Sequence, residues 1–257
     1  MKQTIIMLFS AAFFYYNANA QVSEQLAGKK FQVVSIFNTT ISQMGQEIPS
    51  VIEFTNGYEI KTVSGKTVSL TGTAKKIKIK VTMMGNEQTI DSEDSSSRND
   101  PQYAEAFANI DKPKDVTVEV GKTSVKNSAA GGQDIADIAN ILFIPISATS
   151  AEGTKSIDSA VSDNGSKSID TITVTKLTPD EITVQVNSKL VLSGTEQSMG
   201  VDVKTNILTT SIAIRVYDVK TGLLKSETQT FESNGTNEAQ GQSIPMSMKG
   251  TSTITVQ

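Results

Sequence analysis

The sequence predicts an all-β protein, mainly antiparallel, with one or two short helices. The expected form is a strongly curved sheet or incomplete barrel, with a two-sheet sandwich as the alternative. Three observations carry this: long runs alternate apolar and polar residues with period two, β-branched residues dominate those runs, and glycine-bearing turns separate them.

Residues 1–20 read as an export leader and not as part of the fold. Lys2 supplies a positive start, 5–16 is an apolar run, and Ala18-Asn19-Ala20 is a small-x-small cleavage pattern. Cleavage is expected between Ala20 and Gln21. The run is shorter than the roughly 20 apolar residues that cross a bilayer. No later segment is apolar enough to do so, and no Cys follows to carry a lipid. The expected destination is the periplasm or the outside of the cell.

Residues 21–146 form a β-rich N-terminal half. In it Ile77, Ile79, Val81 and Met83 alternate with Lys76, Lys78, Lys80 and Thr82, which predicts a strand with one buried and one wet face. Val63-Ser64-Gly65-Lys66 reads as a tight hairpin, and Gly85-Asn86 as another turn. Asp100-Pro101 reads as a helix cap with Pro at the first helical position, followed by Tyr103, Phe107 and Ile110 on one face. Ile135, Ile138, Ala139 and Leu142 have helical spacing, and Pro145 stops them. Residues 147–168, rich in Ser, Ala, Gly, Asp and Thr, read as a loop or linker.

Residues 169–257 form the C-terminal β-rich half, either a second unit or continuous with the first. Ile182, Val184, Val186, Leu190 and Leu192 alternate, as do Leu208, Ile212, Ile214 and Val216. The second set is expected to face the interior, with Ser211, Ala213 and Arg215 facing away. Thr178-Pro179-Asp180-Glu181 is expected to turn. Asp218-Val219-Lys220-Thr221-Gly222 reads as a turn closed by a glycine at positive φ.

The absences bound the chemistry. The chain has no Cys and no His, so disulfides, a Ser-His-Asp triad and a Cys-His pair are all excluded. A typical zinc site lacks its ligands. No cofactor is expected. The net charge of −4 gives no reason to expect nucleic acid. Trp is absent and aromatics are 5 % of the chain, which disfavours a sugar platform.

Five clusters invite a functional reading. Asp91, Glu93 and Asp94 could offer oxygens to calcium, but their spacing is not that of an EF-hand, and a solvated hairpin tip is the favoured reading. The same acids could act as a glycosidase pair, which needs carboxylates roughly 5–10 Å apart. Lys76, Lys78 and Lys80 could attract anionic lipid, or simply form the wet face of a strand. Met83, Met84, Met199, Met246 and Met248 suit an adaptable apolar cavity, with ordinary core filling as the favoured reading. Asp158-Ser159-Ala160 and Asp170-Thr171-Ile172 have the Asp-Ser/Thr-apolar form of an O-glycosylation signal, making Ser159 and Thr171 the candidate acceptors.

Two stretches carry a resemblance. Met44-Gly45-Gln46-Glu47 through Ile77-Lys78-Ile79-Lys80 to Ile90-Asp91-Ser92, and Tyr217 to Leu224 followed by Ile244-Pro245-Met246, resemble an exported bacterial family known as domain of unknown function sixty-two sixty-three. The Gly-Asp-x-Trp motif common in that family has no counterpart, since Trp is absent. The resemblance implies a β-rich protein of the Gram-negative envelope and carries over no catalytic residue.

The expectation is therefore an exported, non-enzymatic binding protein without a transmembrane segment. Its partner would be an apolar small molecule or lipid, or an envelope protein. A structural or protein-interaction module with a filled core and a carboxylate-based hydrolase stand as alternatives.

Overall fold

The computed structural model describes residues 22–43, 45–83, 85–121, 135–145, 150–161, 165–198, 201–239 and 241–257. The leader and its cleavage point at Ala20 and Gln21 lie outside the described residues, as do Met84 and Met199.

A 3-10 turn at Glu24–Leu26 leads into β1 (Lys30–Gln43), β2 (Gln46–Ser64), β3 (Thr67–Met83) and β4 (Asn86–Asp91). Three short turns follow: α1 (Ser95–Arg98), a 3-10 turn (Pro101–Tyr103) and α2 (Ala104–Phe107). Then come β5 (Pro113–Glu119) and α3 (Ile135–Ile141). The second half is β6 (Lys155–Val161), β7 (Lys167–Leu177), β8 (Glu181–Ser198), β9 (Val201–Asp218), β10 (Leu224–Ala239) and β11 (Gln242–Val256).

All of these strands join one antiparallel sheet of 11 strands in the order β4-β3-β2-β1-β11-β10-β9-β8-β7-β6, with β5 also on β3. Its two ends do not pair, so it is not a closed barrel. The described strands form one sheet and not the two of a sandwich. The first and last strands meet in the middle, from Val33 opposite Val256 to Gln43 opposite Met246. The two sequence halves are thereby one continuous sheet. The segment expected as a linker contains β6, paired with β7 from Lys155–Thr173 to Val161–Lys167. Its period-two signal, Ile157-x-Ser159-x-Val161, was masked by a small, polar composition.

The sheet curls around α3. Val68 and Leu70 of β3 share one buried cluster with Ile172 and Val174 of β7 and with Ile138 and Leu142. Those two strands are seven places apart in the sheet order, about 34 Å across a flat sheet at ~4.8 Å per strand. The helix, seven residues long, spans only about 10 Å. Curvature brings β3 and β9, five places apart in the order, onto the helix. Gly72 permits the docking, because a Cβ there would strike the Ile135 side chain. Tyrosines hold the helix at both ends: Tyr58 on β2 donates to the Ile135 carbonyl at 3.0 Å and Tyr217 on β9 to the Ile141 carbonyl at 3.1 Å. The chain beyond α3 then joins the β9–β10 turn, with the Leu224 N–H donated to the Leu142 carbonyl at 2.7 Å.

Local expectations for these elements match the structure. Asp100 caps its turn by accepting the Gln102 N–H at 2.9 Å, with Pro101 next. Ile135, Ile138, Ala139 and Leu142 are all buried. Gly65 and Gly222 have φ of 59° and 72°.

The orientation of β9 is the reverse of the expectation. Ser211, Ala213, Arg215 and Tyr217 are buried on the helix side, while Leu208, Ile212 and Ile214 are exposed at 40 %, 50 % and 36 %. Two contacts fix this. Arg215 stands directly opposite Glu227 of β10 and pairs with it, and the Tyr217 hydroxyl reaches the helix. Small side chains at 211 and 213 also leave room for larger neighbours such as Val186, which is opposite Ala213.

Candidate functional site

The acidic run does not converge. Asp91 Oδ1 accepts the Glu93 N–H at 3.0 Å, and its other oxygen pairs with Lys78 at 3.3 Å. The Glu93 N–H bond, with help from Lys78, holds the Asp91 carboxyl below its ordinary pKa despite the opposing effect of burial. Glu93 pairs instead with Lys76 at 2.5 Å. Asp94 caps α1 by accepting the Ser96 N–H at 2.9 Å. Each acid thus has a separate structural task, and no group of three or more metal-ligating side chains exists among the described residues.

The lysine row is not a bare positive stripe. Lys76, Lys78 and Lys80 lie on the face of β3 away from the helix, where Glu93, Asp91 and Glu87 meet them. On the opposite face Ile77, Ile79 and Val81 are half-buried and Met83 is 52 % exposed. Of the other described methionines, Met248 is buried, and Met246 Sδ accepts a hydrogen bond from Asn237 at 3.3 Å. Ser159 is exposed within β6, and Thr171 is half-buried within β7, opposite Ile157. Both candidate acceptors are therefore on regular strands and not on a loop.

The inner face has two parts. Around α3 it is filled by apolar side chains such as Ile60, Leu70, Ile182 and Ile254. Inside this packing lies the Arg215–Glu227 pair. Burial opposes the Arg215 charge, yet Glu227, with Tyr217 and Asp170, outweighs it and raises the guanidinium pKa. Burial pushes the Tyr217 phenol up to about 12. Farther from the helix the inner face is rich in hydroxyls: Thr39 bonds Ser50 at 2.5 Å, and Thr209 bonds Ser233 at 2.8 Å. Gln229 bridges Ser211 and Ser252. The outer face carries two open grooves of about 650 and 360 Å³ that meet at Lys249, Gly250 and Thr251; Thr210, Ile212 and Thr230 line the larger, and Asn38, Val51 and Lys80 line the smaller.

The most distinctive surface is the outer face of β6–β9, which the sequence reading did not single out. Ile157 and Val161 on β6 are 74 % and 67 % exposed, and Ile169 on β7 is 48 % exposed. With Leu208, Ile212 and Ile214 on β9, they form two aliphatic ridges. The register places Ile157, Thr171, Asn187 and Ile212 in one row across the four strands. Val161, Lys167, Val191 and Leu208 form a second row, so Asn187 and Lys167 lie between the ridges. Apolar ridges with polar groups between them have the composition of a protein-binding surface. The signal was present in the sequence as the β9 alternation, but it was assigned to the wrong face.

No protein-family model matches the chain, and no curated protein shows significant similarity to it.

Proposed function

We propose that this protein is an exported, non-enzymatic interaction module of the bacterial envelope. It holds a protein partner through the outer face of β6–β9. The observation that carries this reading is the placement of Ile157, Val161, Ile169, Leu208, Ile212 and Ile214 in water, while α3 occupies the inner side of the same sheet. Aliphatic side chains left in water cost roughly 25 cal/mol for each Å² that a partner could cover. The leader pattern at Ala20-Gln21 and the resemblance to an exported family support the envelope location.

The test is photo-crosslinking in the native envelope, with the photoreactive residue at position 212 or at position 89 on the opposite edge. A discrete protein adduct from 212, absent from 89 and lost on Ile214→Lys, is the expected result. Equal adducts from both positions would overturn it. Native mass spectrometry of protein purified from its own envelope separates the alternative, since a retained lipid mass would favour an apolar-ligand carrier.

A further inference from the structure

The sheet ends at β6, which has no strand on its far side among the described residues. Asp158 reveals which backbone groups face that open side. Its Oδ1 accepts the N–H of the adjacent Ser159 at 2.9 Å, so this N–H is turned away from β7. In an antiparallel ladder, inward and outward groups alternate along the strand. The N–H and C=O groups of Ile157 and Val161 therefore turn outward as well. The side chains of these same two residues are the most exposed large hydrophobics described. An open backbone edge with exposed aliphatic side chains is what folded sheets ordinarily avoid. The opposite edge shows the avoidance: on β4, Glu87, Gln88 and Thr89 are polar and exposed.

We infer that β6 pairs antiparallel with β6 of a second copy of this chain, about a two-fold axis through Ser159 perpendicular to the sheet. The register follows from side-chain chemistry. Ile157 and Val161 stand two residues on either side of Ser159, so this axis sets Ile157 opposite Val161 of the second copy, and the reverse. Aliphatic cross-strand pairs of this kind stabilise a sheet. An axis moved to Asp158 would set two like carboxylates directly opposite, which is destabilising. Centring on Ser159 places Asp158 opposite Ala160 instead. A contact of one patch with itself closes at two copies and cannot propagate.

A perpendicular axis also keeps both outer faces on one side, so the aliphatic ridges of the two copies join across the seam. The Asp158–Ser159 bond must open for pairing, which makes Asp158 a gate on association. This contact uses the strand edge and does not depend on the envelope partner proposed above.

The chain has no Cys, so Ser159→Cys carries a single thiol. A short bis-maleimide should convert it to a covalent dimer in proportion to protein concentration, whereas Thr89→Cys on the opposite edge should stay monomeric. Adding Ile157→Lys to the Ser159→Cys chain should cut the yield about tenfold, roughly a 1.4 kcal/mol loss of association. Sedimentation of the unaltered protein should show a reversible dimer that Ile157→Lys abolishes. Ile212→Lys, away from the edge, should leave the cross-link yield unchanged even though it removes the partner contact, so the two proposals fail separately. Equal yields from Ser159→Cys and Thr89→Cys, or a dimer indifferent to Ile157→Lys, would overturn the pairing.

Discussion

Removing the Glu227 carboxylate tests how the inner face is held together. Arg215 Nε and Glu227 Oε2 are 2.5 Å apart, with side chains 7 % and 1 % exposed. Glu227→Ala would leave the guanidinium buried without its counter-charge. Breaking a buried pair from one side costs about 3–5 kcal/mol. At about 2–4 °C per kcal/mol for a chain of this size, the Tm should fall by roughly 6–20 °C. The joint change Arg215→Met/Glu227→Leu should recover most of that loss, because no lone charge remains and the volume stays filled. Urea melts of the wild type, Arg215→Met, Glu227→Leu and the double variant form a cycle, with a coupling energy expected at about 2 kcal/mol or more. A loss below about 1 kcal/mol for Glu227→Ala would refute the burial of the pair. A double variant as unstable as the sum of the singles would refute their coupling.

The orientation of β9 predicts that Ile182→Ala, at a fully buried position, costs about 2–5 kcal/mol, while Ile214→Ala costs about 1 kcal/mol or less; denaturant melts of the two variants compare them directly, and equal losses would contradict the register. Tyr217 gives a pH dependence: burial raises its pKa to about 12, against an ordinary value of about 10 in the unfolded chain. Its contribution is therefore complete below about pH 10 and is lost as pH rises from there toward the folded value. Tyr217→Phe should lose about 1 kcal/mol at neutral pH with the Ile141 hydrogen bond and should show a shallower alkaline decline in urea melts, whereas a parallel decline would count against a buried phenol.

Much of the local structure is legible in the sequence because local chemistry decides it. The turn at Asp218–Gly222 is an example: Asp218 Oδ1 accepts both the N–H and the hydroxyl of Thr221 at 2.8 Å. The orientation of β9, and with it the proposed surface, is harder to read. Ile212 and Ile214 signal a strand with an apolar side, but Tyr217 and Ala213 supply apolar character to the other side too. Counting apolar residues selects the wrong face, because one buried ion pair and one tyrosine outweigh three aliphatic side chains. The acidic run shows what else the sequence leaves open, namely which partner each carboxylate takes. Lys76, Lys78 and the α1 backbone each take one carboxylate.

By itself the sequence determined the all-β class, the period-two strands, the positive-φ glycine at 222 and the helical spacing of Ile135, Ile138, Ala139 and Leu142. Each of these depends on residues within a few positions of one another, where φ/ψ preference and side-chain alternation act directly. Tertiary structure decided the rest. An extra residue at Lys75, between the Thr55–Lys76 and Asn56–Ala74 pairs, switches the inward parity of β3, so Leu70 and Ile77 face the same side. The first strand finds the last, Val33 opposite Val256, and that pairing makes one sheet of two halves and leaves β6 as an edge. Such choices are made by contacts between residues far apart in the chain, where only the competing energies of burial, charge pairing and backbone register select one arrangement.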